Sequence, residues 1–198
     1  MNGDAKGEKG FVVGKHGGIE HVMVDFLPEV MERLVIEDRV QIRAYGVGLR
    51  LLDATNVRVY NTSPEFLDAI DPRIVDGMLE VPVTHEVPAA IMGSGLGRDQ
   101  ASSGDYDITM FCVEMVEKCG LDDLRLGDLV AIMDADSSYG RIYRKGSVTV
   151  GIVSHGDCVI AGHGPGVTTL FTSTKGMIKP VVSGDANIAK LLKLRDDV

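Results

Sequence analysis

Glycine interrupts this chain about once in eight residues, 24 times in 198, against an average near seven per hundred. Between the glycines lie short runs rich in Val, Ile and Leu. These runs suit short strands joined by tight turns, because β-branched residues fit a pleated surface and glycine reaches the backbone angles that turns need. Tryptophan is absent and there are five Phe and five Tyr, so the core must be largely aliphatic. At this length folding buries roughly 70% of the surface that an unfolded chain exposes, enough for a core without disulfide staples. The expected fold is mainly β (α+β): a compact β-barrel or sandwich of short strands with a few peripheral helices, in a single domain spanning residues 1–198.

The chain opens on a hairpin pattern within residues 3–26. Gly10 to Val13 and Ile19 to Phe26 flank a Lys-His-Gly-Gly turn, and the second segment alternates. Pro28 to Leu34 reads as a short helical turn. A Glu-Asp turn then feeds an alternating strand through Val40, Ile42 and Ala44. Ser63 is placed to cap a helix that opens with Pro64 and runs to Ile70. Leu79 to Val87 is extended, and Pro82 and Pro88 assign it to an edge or an irregular segment. Further strands are expected at Tyr106–Phe111, Asp128–Met133, Ser147–Ser154, Cys158–Ala161, Val167–Thr172 and Met177–Val182. Helices are expected at Cys112–Lys118, stopped by Gly120, and at Ala186–Lys193.

A net charge of −9 argues against a nucleic-acid partner, since that affinity comes from neutralising phosphates. The three cysteines, Cys112, Cys119 and Cys158, show no C-x-x-C spacing, which excludes a disulfide framework or a cysteine zinc site as the organising element. A reducing, cytoplasmic location is expected. No apolar run approaches the ~18 residues of a membrane span. The G-x-x-K-G-x-x-G-x-V pattern at Gly3–Val12 resembles the KOW element of ribosome-associated barrels. The acidic chain lacks the basic residues that such an RNA contact would need.

Polar and glycine-rich segments concentrate in residues 84–174, where chemistry is expected. Asp105 and Asp107 are two apart, as are Asp134 and Asp136. On a strand such pairs share a face and can reach one ion. His85, His155 and His163 add imidazole nitrogens. Mixed His and Asp shells suit Zn or Mn, and carboxylates with loop carbonyls suit Mg or Ca. The expected metal ligands are His85, Asp105, Asp107 and Asp134, with His163 and Asp136 in catalytic roles. His163 is framed by Gly162, Gly164, Pro165 and Gly166, so backbone geometry rather than core packing positions it. Arg141, Arg144, Gly95 and Thr168 are the expected substrate contacts, because arginines and glycine-loop amides hold anionic groups. His16 and His21 read as structural or surface residues of the hairpin, and Cys158 as a core residue of an apolar strand.

The strings GKHGGIEHVMVDF, VPVTHEVPAAIMGSGLG, SGDYDI, DADSSYGRIYRKGSVTVGIV and AGHGPGVTTL together resemble the DUF4438 family over nearly the whole chain. The resemblance implies a compact β-rich fold and carries no activity with it. Members of that family are commonly longer at the N-terminus, so the resemblance implies that this chain is either a fragment or a short form. A looser resemblance, in SGDYDI followed by LRLGDLVAIMDADSSYG, is to the acetamidase/formamidase family. That family hydrolyses small amides with metal assistance. Here Tyr106 and Asp107 depart from its Asn-containing pattern.

Three functions follow as expectations. The first is a metal-assisted hydrolase acting on a small polar amide or carboxylate. The second is a non-catalytic small-molecule or anion-binding protein. The third is a structural or assembly protein. A small-molecule ligand and a homo-oligomer are the expected partners.

Overall fold

The structure, a computed structural model, describes residues 2–16, 21–45, 48–93, 101–156, 158 and 160–194. Eleven strands and four short helices follow in chain order. The hairpin strands β1 (Phe11–His16) and β2 (His21–Asp25) pair antiparallel, with His16 opposite His21. After them come α1 (Pro28–Met31), β3 (Arg58–Val59) and α2 (Pro64–Ile70). Then follow β4 (Arg73–Val75), β5 (Met78–Val83), β6 (His85–Pro88) and β7 (Tyr106–Asp107). The chain continues through α3 (Val113–Cys119), β8 (Leu129–Asp136), β9 (Ile142–His155), β10 (Gly166–Ser173), β11 (Ile178–Val182) and α4 (Ile188–Leu191).

The central sheet runs β3-β10-β9-β8-β6, with β7 also pairing β10. It is open: β6 closes one edge in parallel with β8, and β3 and β7 share the other. The fold is therefore mainly β with few helices, as expected, but the described sheets do not close into a barrel. A three-stranded sheet, β11-β5-β4, packs against the central one through Val81, Val83 and Ile178.

Strand β8 shows why this architecture holds. Leu129 and Ala131 join one core cluster with Val81, Val83, Val150, Leu170 and Phe171. Val130 and Ile132 join another with Val87, Ile108, Leu121 and Val153. Successive residues of a strand point to opposite faces. A central strand covered on both sides therefore reads as a continuous apolar run rather than an alternating one. Each of these fully buried side chains contributes roughly 1.5–3 kcal/mol. Helix α2 begins as its sequence dictates: Ser63 Oγ accepts from the Phe66 amide at 3.0 Å, and the left-handed Asp71 ends it. Helix α3 ends at left-handed Gly120.

Three sequence expectations are corrected. The Val40–Ala44 segment forms no strand, and its Val40 and Ile42 are exposed. Its alternation is real but has no neighbouring strand to complete a ladder. Cys158 and Ala161 lie in irregular backbone, and Cys158 is only partly buried, because β9 ends at His155 and the chain must loop back to β10. Lys15 and His16 belong to β1 rather than to the hairpin turn.

Candidate metal centre

Four elements end at one place. Strand β10 begins at Gly166, which faces His155 of β9 on one side and Asp107 of β7 on the other. Asp105 lies two residues before Asp107. The hairpin lies against β9 and β10. Its Gly14 permits this approach, since a Cβ there would lie 2.1 Å from Ser154 Cβ and 2.7 Å from Thr168 Oγ1. The Lys15 amide then donates to Thr168 Oγ1 at 3.2 Å, which fixes the register and delivers His16.

Two histidines meet on a single carboxylate oxygen. His16 Nδ1 lies 3.0 Å and His155 Nε2 lies 2.5 Å from Asp105 Oδ2. All three ligand atoms fall within 4.8 Å of one another. The imidazoles of His16 and His155 meet edge-on with centroids 4.3 Å apart. Asp107 completes the surroundings: its Oδ1 is 3.9 Å from His155 Nε2 and its Oδ2 is 3.4 Å from His163 Nδ1. Glycine at 166 leaves room for both groups, because a Cβ there would stand 2.1 Å from Asp105 Oδ2 and 2.2 Å from His155 Nε2 and would displace them.

The cluster is buried and its charges shift one another. Both carboxylates are about 4% exposed, and buried charge is costly unless paired. Burial pushes Asp105 up, but hydrogen bonds from His155 and His16 outweigh it and hold the carboxyl below its ordinary range. The Asp105 hydrogen bond raises His155 above its usual value against the opposing effect of burial. Asp107 is raised, first by burial and then by the neighbouring Asp105 charge. Perturbed groups of this kind cluster at functional sites. Arg141 lies close by, its guanidinium 5.7 Å from the centroid of the Tyr106 ring. Burial lowers Arg141, while the charges of Asp105, Tyr106 and Asp107 pull it back.

The expected site residues divide into those gathered here and those placed elsewhere. Asp105, Asp107, His163 and Arg141 are gathered. His85 is not: its ring bonds Thr84 Oγ1 at 2.8 Å and Asp123 Oδ1 at 2.9 Å. Asp134 accepts from the Gly146 amide at 2.7 Å and holds a left-handed backbone, so its carboxylate serves the β8–β9 connection. A bulge between Met133 and Ala135 separates it from the pleat that Asp136 follows. Asp136 is buried, accepts from the Ser138 amide at 2.9 Å and pairs with Arg144 at 3.7 Å. Asp136 and Arg144 thus satisfy each other away from the cluster. Thr168 is buried beneath the hairpin. Gly95 lies outside the described residues.

Sequence reasoning treated His16 as a hairpin residue and left His155 out of the ligand set. A signal for both was present. His16, His155 and His163 are each followed directly by glycine, whereas His21 and His85 are not. A histidine at the last position of a strand, with glycine opening the backbone after it, can turn its ring towards a neighbouring strand end.

Residues 1–68 match the family described as Domain of unknown function (DUF4438), N-terminal, and residues 69–192 match its C-terminal counterpart. Among solved structures, the crystal structure of TM1086 superposes with a TM-score of 0.87 at 46% identity, over 96% of this chain and 66% of that one. This chain therefore spans just under two thirds of that relative's length. No curated protein matches the chain. The looser likeness to acetamidases and formamidases has no counterpart among these matches. Among the described residues, no helix is long and apolar enough to cross a membrane.

Proposed function

The chain belongs to the DUF4438 family, and we propose that it is a metal-dependent hydrolase of a small polar amide or carboxylate substrate. The observation that carries this reading is the convergence of His16 Nδ1 and His155 Nε2 on Asp105 Oδ2, within 4.8 Å. Two histidines and one carboxylate form a donor set for a divalent first-row ion with coordination positions left for water and substrate. Such an ion lowers the pKa of bound water towards ~7. The chain's own residues supply the rest. Asp107, raised by burial and by Asp105, is a stronger base than an ordinary carboxylate and is placed to accept a proton. His163, 3.4 Å from Asp107, orients that carboxylate and can pass the proton to a leaving group. Arg141, coupled to both carboxylates, offers a fixed cation for an anionic part of the substrate.

The reading is tested by titrating the metal-stripped protein with Zn, Mn and Fe(II), followed by a panel of small amides and carboxylate esters with each ion. One ion per chain, with turnover abolished by Asp107→Asn but binding retained, is the expected result. Tight metal binding with no turnover on any substrate would favour a non-catalytic binding role. No binding at micromolar concentrations would end the proposal.

A further inference from the structure

A second site lies beneath the N-terminal segment. A cleft of about 880 Å³ opens between the segments 2–15 and 24–45 and the body of the protein. Val13, Val30, Phe66, Leu170 and Ile188 lie buried at its floor, and Val12, Val40 and Ile42 give it accessible apolar surface. Packed interiors hold few voids larger than a water molecule, and a cleft of this size matches the range of small-molecule pockets. None of the five residues of the His and Asp cluster lines it. It is therefore independent of the candidate metal centre, although Lys15 and His16 are neighbours on β1.

The polar features of this cleft are unlike those of the protein as a whole. Lys15 and Asn61 both line it. The Lys15 ammonium is held at 3.0 Å by Asn61 Oδ1 and at 3.0 Å by the Ser102 carbonyl. Both acceptors are neutral, and among the described residues no carboxylate pairs with this half-buried cation. Four further cations, Lys6, Lys9, Arg39 and Arg43, line the cleft against three carboxylates, Glu8, Asp38 and Glu65. The lining thus carries a basic surplus on a chain of net charge −9. An apolar chamber prefers an apolar occupant to water, and a half-buried ammonium without a counter-ion prefers an anion.

We propose that this cleft binds an aliphatic monocarboxylate, with its chain against Val12, Val40 and Ile42 and its carboxylate at the Lys15 side. The charge excludes an amine of the same length, and the apolar walls exclude a short acid. Affinity should rise with chain length, by roughly tenfold for each added pair of methylenes while the cleft has room.

Calorimetric titration of the full chain with octanoate, decanoate, dodecanoate and decylammonium tests this. The expected result is saturable one-to-one binding of the acids, tightening along the series, with no binding of decylammonium. Lys15→Met should weaken decanoate by about tenfold or more, and Lys15→Arg should restore most of it. Ala44→Trp, at an exposed position on the cleft lining, should block the acids without touching Lys15. Circular dichroism melting of each variant confirms that it folds. Divalent-metal titration of Ala44→Trp should be unchanged, which separates this site from the metal centre. Three results would each overturn the proposal. The first is no acid binding up to millimolar concentration. The second is equal binding of decylammonium. The third is dimerisation through this face that Ala44→Trp abolishes.

Discussion

Gly166 sits opposite His155 in the β9–β10 ladder, and a Cβ on it would stand 2.2 Å from His155 Nε2. The missing side chain is what lets His155 lean over the strand end to reach Asp105. Gly166→Ala should therefore abolish high-affinity metal binding, because the ring and the carboxylate cannot both hold their places. Loss of affinity by a factor of about 100 or more is expected. Metal titration of the variant, with circular dichroism to verify folding, checks it.

The two groups of sequence candidates should separate by mutation. His16→Ala, Asp105→Ala and His155→Ala should each reduce metal affinity by about 100-fold or more. His85→Ala and Asp134→Ala should leave it unchanged, since those side chains bond Thr84 and Asp123, and the Gly146 amide. Competitive titration with a chromophoric chelator measures all five.

In the metal-free protein the cluster should leave a mark on stability against pH. Asp105 is depressed, so its contribution is present above its ordinary value near 3.8 and is lost as pH falls through the lower folded value. His155 is raised, so its contribution is full below about 6.5 and is lost as pH rises through the higher folded value. His155→Ala should flatten the alkaline side of the melting profile above pH ~6.5. Thermal melts in chelator across pH 4 to 9, about the range that spans both groups, test this.

Asp107 has the opposite sign. Its raised value means that the folded state disfavours its ionised form, so it costs stability once pH exceeds its ordinary value near 3.8. Asp107→Asn should raise the metal-free melting midpoint at neutral pH by about 2 °C or more, while removing turnover. A stabilising substitution that destroys activity is the signature of a carboxylate kept for chemistry.

Phe171, fully buried where β10 meets β3, tests the core independently. Phe171→Ala should cost about 3–5 kcal/mol, read from chemical denaturation with an unchanged metal stoichiometry under native conditions.

Much of the fold was legible in the sequence, and the reasons are local. The Ser63 cap, the Pro64 start and the Gly120 stop act within one helical turn, and the aliphatic runs of β8, of the second half of β9 and of β10 are buried as their composition implies. The Val40–Ala44 alternation misled because a period of two needs a neighbouring strand, which no local pattern can provide. The site was legible in its carboxylates: spacing placed Asp105 and Asp107 together, and glycine framing marked His163. His16 was not, because its partner Asp105 lies 89 residues away and only the docking of the hairpin joins them. The cleft next to Lys15 was invisible for the same reason, since its walls come from segments distant in the chain.

The account rests on His16, Asp105 and His155 holding one ion. Elemental analysis of the purified protein, with titration of the metal-stripped form and of a His16→Ala/Asp105→Ala/His155→Ala variant, tests it most directly. The account predicts one divalent ion per chain bound at micromolar concentration or tighter, and none in the triple variant. Absence of any bound ion in the parent protein, or equal binding by the folded triple variant, would contradict it.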